Sequence, residues 1–192
     1  MRLFLALDLP PPHRRWLTEV RERLARKECG WRLARPESIH LTLRFLGELD
    51  RQLAERGGRI WSQVASSVPP FRLTIGGLGT FPPRGRPRIL HLGVCQSDSG
   101  DALATLASGL EVGARRLGLE PVRRPFRPHL TVARAAREGR STLPVVRLPA
   151  PPGDLFVEQV VLFRSHLEPV GARYTESGKY PLMGSRTGET TA

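Results

Sequence analysis

Two histidines, His40 and His129, begin the same tripeptide, His-Leu-Thr. Four of the five histidines in the chain precede leucine, so only the threonine that follows distinguishes this pair. An imidazole with an ordinary pKa of about 6.5 can be neutral or protonated near neutral pH. Two of them could therefore supply the base and the acid that in-line attack on a phosphodiester requires.

A threonine follows each of these histidines two positions later, at Thr42 and Thr131. Both segments alternate polar and apolar side chains, which predicts strands with one buried face. The side chains expected on the polar faces are His40, Thr42 and Arg44 in one strand and His129, Thr131 and Ala133 in the other. A hydroxyl there can donate to a phosphate oxygen, and a hydrogen bond to a charged group is worth about 1.5–3 kcal/mol. One such pair is typical of any half-exposed strand, whereas two copies at matching points of an internal repeat are a much stronger signal of function.

The elements that would position these residues follow from hydrophobic periodicity. We expect strands at 2–9, 38–46, 71–78, 88–95, 129–134, 156–164 and 172–182. We expect helices from about residue 12, over about 51–67 and over about 100–118. The apolar start predicts a strand rather than a signal sequence, because Asp8 interrupts it and no small-residue cleavage site follows. No apolar run approaches the about 18 residues that a membrane span needs.

A weak internal repeat relates two parts of the chain. R-L-F-L-A-L, a helix and H-L-T-L-R-F are followed later by R-I-L-H-L-G-V, a helix and H-L-T-V-A-R. This pattern predicts two similar α+β lobes about a pseudo-twofold axis, with one histidine from each lobe at a shared cleft. Chance similarity of two short strand-helix-strand units is the alternative. We expect one bilobal domain over 1–183 and a disordered polar tail over 184–192.

The net charge of +12 favours a polyanionic partner. Only two of the 30 basic residues are lysine, and the planar fork of arginine suits phosphate better than the point charge of lysine. The arginines cluster at Arg84, Arg86 and Arg88 and again at Arg123, Arg124 and Arg127. The clusters favour RNA or another phosphate ligand. Biased genomic composition also explains the arginine content, and the two loops could be merely solvated.

Cys29 and Cys95 are the two cysteines, too few for a disulfide framework and without metal-ligand spacing. We therefore expect a reducing cytoplasm. The sequence has no H-E-x-x-H motif, carboxylate cluster, P-loop or G-x-S-x-G motif, which argues against metal, nucleotide-hydrolysis and serine-esterase chemistry. We expect no metal ion, no cofactor and a monomer.

The segments P-E-S-I-H-L-T-L-R-F-L-G-E-L and R-P-F-R-P-H-L-T-V-A-R resemble the paired H-x-T-x motifs of the 2H phosphoesterase superfamily. The resemblance is closest to its LigT-like branch, the RNA 2′,3′-cyclic phosphodiesterases also called 2′-5′ RNA ligases, and extends over about residues 2–182. It implies a bilobal α+β fold in which two antiparallel sheets line a central cleft, with helices outside. It also implies metal-independent opening of an RNA 2′,3′-cyclic phosphate to a 2′-phosphomonoester.

Carried onto this sequence, the resemblance makes His40 and His129 the catalytic pair and assigns the phosphate to Thr42 and Thr131. For hydrolysis to a 2′-phosphate we assign His129 as the base toward water and His40 as the acid toward the 3′-oxygen. The repeat is nearly symmetric, so the sequence hardly separates this assignment from its reverse.

The resemblance also implies that Phe45 stacks on a base and that Arg134 contacts the phosphate or the ribose. Each residue lies five positions after its histidine, which in an ideal strand is the opposite face. They reach the cleft only if the strand bends, bulges or ends there. The alternatives are core packing for Phe45 and a solvated edge for Arg134.

The two motifs leave other functions open. The same residues would serve ATP-independent 2′-5′ joining of RNA ends, and an RNA-binding protein with a degenerate site is a third possibility. Intact histidines and threonines in both motifs argue against the third. His91 could line the cleft, but a packed strand histidine is the favoured interpretation, and we assign no role to His13 or His166.

Overall fold

The computed structural model describes residues 1–27, 30–98, 100–136, 141–168 and 171–185 of the 192. The three α-helices of this part are α1 Pro11–Ala25, α2 Arg51–Ser66 and α3 Ala102–Arg116, and a 3₁₀ turn covers Pro36–Ser38. The strands are β1 Arg2–Leu7, β2 Trp31–Leu33, β3 Leu41–Glu48, β4 Phe71–Phe81, β5 Ile89–Gln96, β6 His129–Ala135, β7 Leu155–Val157, β8 Gln159–Glu168 and β9 Gly171–Pro181. No helix in these ranges is long and apolar enough to cross a membrane.

The elements agree with those expected from periodicity, apart from shifts of up to three residues at their ends and two further differences. Strand β2 was not expected, because it is only three residues long. The single strand expected over 156–164 is two strands, β7 and β8, which lie in different halves of the sheet. Glu158 separates them, and its carbonyl accepts a hydrogen bond from the Leu182 amide.

The strands form one antiparallel sheet in the order β7-β4-β5-β6-β3-β1-β8-β9, with β2 also paired to β6. Its two halves are joined between β3 and β6 by a single pair of residues, Leu41 and Leu130. The α+β fold with antiparallel strands and outer helices is therefore confirmed, and the two expected sheets are two halves of one sheet that is continuous at this bridge.

The order of strands shows how the internal repeat is built into the fold. Exchanging β3 with β6 also exchanges β1 with β5 and β8 with β4. The repeat units β1-α1-β3 and β5-α3-β6 are thus related across the bridge. Leu41 and Leu130 follow the two histidines directly and are each other's partners, so they lie at the approximate twofold axis.

Apolar side chains pack on both faces of the sheet. The main core lies between the sheet and the helices and contains Leu41 and Leu130, both fully buried. A second cluster is separate from that core and consists of Phe4, Ala6, Val161 and Phe163, with Tyr174 packed against it. Because successive strand residues point to opposite faces, this smaller cluster marks the face that is free of helices. This face is called the cleft face below.

Local capping fixes the helices. Pro11 and Pro12 occupy the first turn of α1, where a missing amide hydrogen is harmless. Asp50 caps α2 by accepting a hydrogen bond of 2.7 Å from the Leu53 amide.

At the other end of the chain, the Gly184 amide donates to the Val68 carbonyl. The rest of the expected tail, from residue 186 onward, lies outside the described residues, as does Cys29.

Candidate active site

His40 lies immediately before β3 and is surrounded by aromatic rings. Its imidazole stacks on Phe4, with centroids 4.6 Å apart, and Tyr174 meets it edge-on at 5.1 Å. Burial lowers the pKa of His40 to about 4, although a hydrogen bond with the Ser38 backbone acts in the opposite direction. His40 is therefore neutral at pH 7 in the free protein.

His129 begins β6 and is held differently. Its Nδ1 lies 2.7 Å from the carbonyl oxygen of Arg127, which can only accept, so Nδ1 carries the hydrogen. Nε2 is consequently the atom that can take up or release a proton in the cleft. Phe81 and His91 meet the ring at steep angles, with centroids 5.0 and 5.5 Å away.

The bridge between the halves brings the two histidine-threonine pairs together. Leu41 pairs with Leu130 in antiparallel orientation. Continuing that register by one residue on either side places His40 opposite Thr131 and Thr42 opposite His129. Each threonine therefore accompanies the histidine of the other lobe. The charge of His129 contributes to lowering the pKa of His40, which also requires the two rings to be near each other.

A bulge in β3 changes which side chains share the face of His40. Thr42 pairs with Ala6 and Arg44 with Leu5, so Leu43 is an extra residue. Arg44 is buried on the helix side, where its Nε lies 2.7 Å from a carboxylate oxygen of Glu111 in α3. The expectation that Arg44 faces the cleft with His40 is wrong for this reason.

The same bulge brings Phe45 to the cleft. Phe45 pairs with Phe4, whose ring stacks on His40, and the two phenylalanine rings are 5.8 Å apart. The Phe45 side chain is 62% exposed. The conflict with simple alternation is thus resolved, because the extra residue at Leu43 moves Phe45 to the face of His40.

Strand β6 carries a bulge at the equivalent position. Thr131 pairs with His91 and Ala133 with Leu90, so Val132 is the extra residue. Ala133 is buried in the core, and the expectation that it shares the face of His129 is wrong. Arg134 is exposed and returns to the cleft face, and its charge contributes to lowering the pKa of His40.

The other histidines separate into one at the cleft and two away from it. His91 stacks on Phe81, with ring centroids 4.1 Å apart, so it is packed as favoured and also lies beside His129. His13 is buried in α1, with Nε2 3.2 Å from the Gly153 carbonyl. His166 bonds to the Thr175 hydroxyl. Within the described ranges no three metal-ligating side chains are grouped.

The aromatic residues around the two histidines were not predicted as parts of the site. Phe4, Phe81 and Tyr174 come from strands that carry neither motif. In the sequence they read as strand residues with no chemical role. One signal was available in β1, where Phe4 and Ala6 alternate with leucines that build the core. A strand that is apolar on both faces indicates a second apolar cluster on the other side of the sheet.

Two histidine-threonine pairs from equivalent strands, meeting across a cleft, define a phosphoesterase type of site. The family model for LigT like Phosphoesterase matches residues 7–91 and 93–174. The RNA 2′,3′-cyclic phosphodiesterase of Thermus thermophilus is 35% identical over 191 residues, covering 96% of this chain and 91% of the relative. The chain belongs to the LigT-like phosphoesterase family.

Solved structures agree with this membership. A crystal structure of a protein from Thermus thermophilus matches with a TM-score of 0.82 and 31% identity, covering 97% of this chain and all of that one. Escherichia coli LigT complexed with 3′-AMP matches with a TM-score of 0.77 and 27% identity, covering 94% of this chain and 97% of that one.

Proposed function

We propose that this protein hydrolyses the 2′,3′-cyclic phosphate end of RNA to a 2′-phosphomonoester. The observation that carries the proposal is the antiparallel pairing of Leu41 with Leu130, which brings the two His-Leu-Thr segments side by side. The Thermus thermophilus relative is named for this activity. The net charge of +12 suits an RNA substrate.

In the proposed mechanism His129 takes a proton from water through Nε2 while the water oxygen bonds to phosphorus. The bond from phosphorus to the 3′-oxygen breaks, and His40 gives that oxygen a proton. Thr42 and Thr131 donate to the non-bridging oxygens, where negative charge accumulates in the transition state. After turnover His129 is protonated and His40 is neutral, so exchange of protons with water restores the starting state.

In this assignment His40 must be protonated when the substrate is bound. Its pKa of about 4 leaves it neutral at pH 7, whereas an acid must carry a proton. A bound phosphodiester supplies a negative charge beside the ring, which raises the pKa. The reverse assignment, with His40 as the base, needs no such rise.

A substrate with sulfur in place of the 3′-bridging oxygen decides between the two assignments. A thiolate leaves without protonation, so removing the acid costs little on this substrate while removing the base remains costly. We expect the His40→Ala variant to regain activity on the sulfur substrate and the His129→Ala variant not to. Recovery by His129→Ala instead would reverse the assignment.

We further propose that Phe45 stacks on a nucleobase and that Arg134 contacts the phosphate or the ribose. Exposure of the Phe45 ring at the cleft supports the first role. The nearness of Arg134 to His40 supports the second, because its charge already acts on that imidazole. We also propose that the protein acts without a metal ion, as a monomer in the cytoplasm. The exposed free thiol of Cys95 suits a reducing compartment.

The test is incubation with a short RNA ending in a 2′,3′-cyclic phosphate, in EDTA at neutral pH, with the product identified as 2′- or 3′-phosphate. We expect the 2′-phosphate, and a loss of at least about 100-fold in rate for His40→Ala and for His129→Ala. His166→Ala is the matched control, because that histidine bonds to Thr175 away from the cleft. RNA binding without turnover would refute the proposal. A 5′-hydroxyl RNA in the same reaction measures the ratio of joining to hydrolysis.

A further inference from the structure

Strand β2 places two arginines side by side at one end of the cleft. Its three residues pair with the end of β6, and Arg32 is the direct partner of Arg134. Both side chains are exposed. Cross-strand partners project from the same face with Cβ atoms about 4.5–5.5 Å apart, and like charges in this position destabilise a sheet.

The structure holds this like-charge pair in place from both sides of Arg32. The neighbours Trp31 and Leu33 pack against the main core, and the Trp31 indole donates to the Thr142 carbonyl at 2.7 Å. None of the ion pairs among the described residues includes Arg32 or Arg134. The fold therefore keeps two positive charges together where an external anion would relieve their repulsion.

The pair lies next to the proposed phosphate site. On the cleft face of β6, the row of Arg134 follows the row of Thr131, because the Val132 bulge returns Arg134 to that face. Consecutive rows on one face of a strand are about 6.6 Å apart. The turn that carries Arg84, Arg86 and Arg88 ends at the same edge, since the Ala135 amide donates to the Arg88 carbonyl at 2.9 Å.

We propose that Arg32 and Arg134 together bind an internucleotide phosphate of the RNA, the one that adjoins the cyclic terminal nucleotide, with Arg134 shared between this phosphate and the terminal nucleotide. The proposal rests on the proposed function and adds to it a second phosphate subsite and a direction for the RNA strand, toward β2 and the turn at 82–88. Arginine suits this role because its guanidinium donates two parallel hydrogen bonds to one phosphate. Arg32 is the new member of the site.

The experiment compares two dinucleotides that both end in a 2′,3′-cyclic phosphate. One has an ordinary phosphodiester linkage and the other a neutral methylphosphonate linkage. We expect the wild-type protein to prefer the charged linkage about tenfold in kcat/KM, as expected for one charge-assisted phosphate contact. In Arg32→Gln most of this preference is lost, and what remains comes from Arg134. Arg32→Lys, which keeps the charge but loses the fork, is expected to retain part of it.

Arg59→Gln is the matched control, since Arg59 is exposed on α2, and the wild-type preference must remain in it. Full retention of the preference in Arg32→Gln would overturn the two-arginine subsite. So would a melting temperature well below that of the wild type, because removing a like charge from the pair should leave stability unchanged or higher. Failure of the wild type to hydrolyse either dinucleotide would instead refute the proposed function itself.

Discussion

The low pKa of His40 predicts a specific dependence of stability on pH. The pKa in the folded protein is about 4, below the ordinary value of 6.5 that applies to the unfolded chain. Between these values the unfolded chain binds a proton that the folded chain does not. Stability from this group is therefore complete above about pH 6.5 and decreases on acidification toward pH 4.

The magnitude follows from the shift. One pKa unit corresponds to about 1.36 kcal/mol, so a decrease from 6.5 to about 4 limits the contribution to about 3 kcal/mol. The assay is urea unfolding of the wild type and of His40→Gln at pH 7 and pH 4.5. We expect the wild type to lose about 2 kcal/mol more than the variant over this interval.

Two controls make the result interpretable. His166→Gln should lose as much stability as the wild type, because it retains His40. A chemical-shift titration of the His40 ring, first alone and then with adenosine 2′-phosphate, should show the pKa rising as the phosphate binds. Equal losses in wild type and His40→Gln, together with a His40 pKa near 6.5, would refute the argument from burial.

Three further outcomes are expected. Gly79→Ala should reduce kcat severalfold, because a Cβ there would lie 2.8 Å from the ring of His91, which lies beside His129. Gly77→Ala is the control, because nothing lies within 4 Å of a Cβ at that position. Equal rates for the two variants would contradict this prediction. Leu130→Ala should lower the free energy of unfolding by about 2–5 kcal/mol in urea denaturation, because the side chain is fully buried at the bridge. Phe45→Ala should raise KM for a cyclic-phosphate dinucleotide about 10- to 100-fold, because base stacking is lost. The free energy of unfolding should not change, because the ring is exposed. An unchanged KM would exclude stacking.

Periodicity was enough to predict most elements and the meeting of the two motifs. Alternation identified the strands that carry His40 and His129, and the repeat indicated that equivalent strands would be related by an approximate twofold axis. The axis passes through the pair Leu41 and Leu130, and in each motif this leucine stands between the histidine and the threonine. A spacing of two places each threonine opposite the histidine of the other lobe.

Periodicity could not predict which face of the sheet the side chains after each threonine occupy. One extra residue at Leu43 or at Val132 reverses the faces of the side chains that follow it directly, and a bulge depends on the partner strand. Arg44 therefore turned inward to Glu111, while Phe45 turned outward to the cleft. Local sequence carries no signal for this choice, because β1 is far from β3 in the chain.

The sequence by itself determined the two histidine-threonine pairs, the α+β class and the repeat, because these depend on side-chain type and local period. Only the tertiary structure decided the environment of those pairs. Burial lowers the pKa of His40, and the Phe4 ring that stacks on it belongs to another strand. Arg32 became a neighbour of Arg134 only when β2 paired with β6. Burial and cross-strand pairing are properties of contacts between distant segments, and no local pattern specifies them.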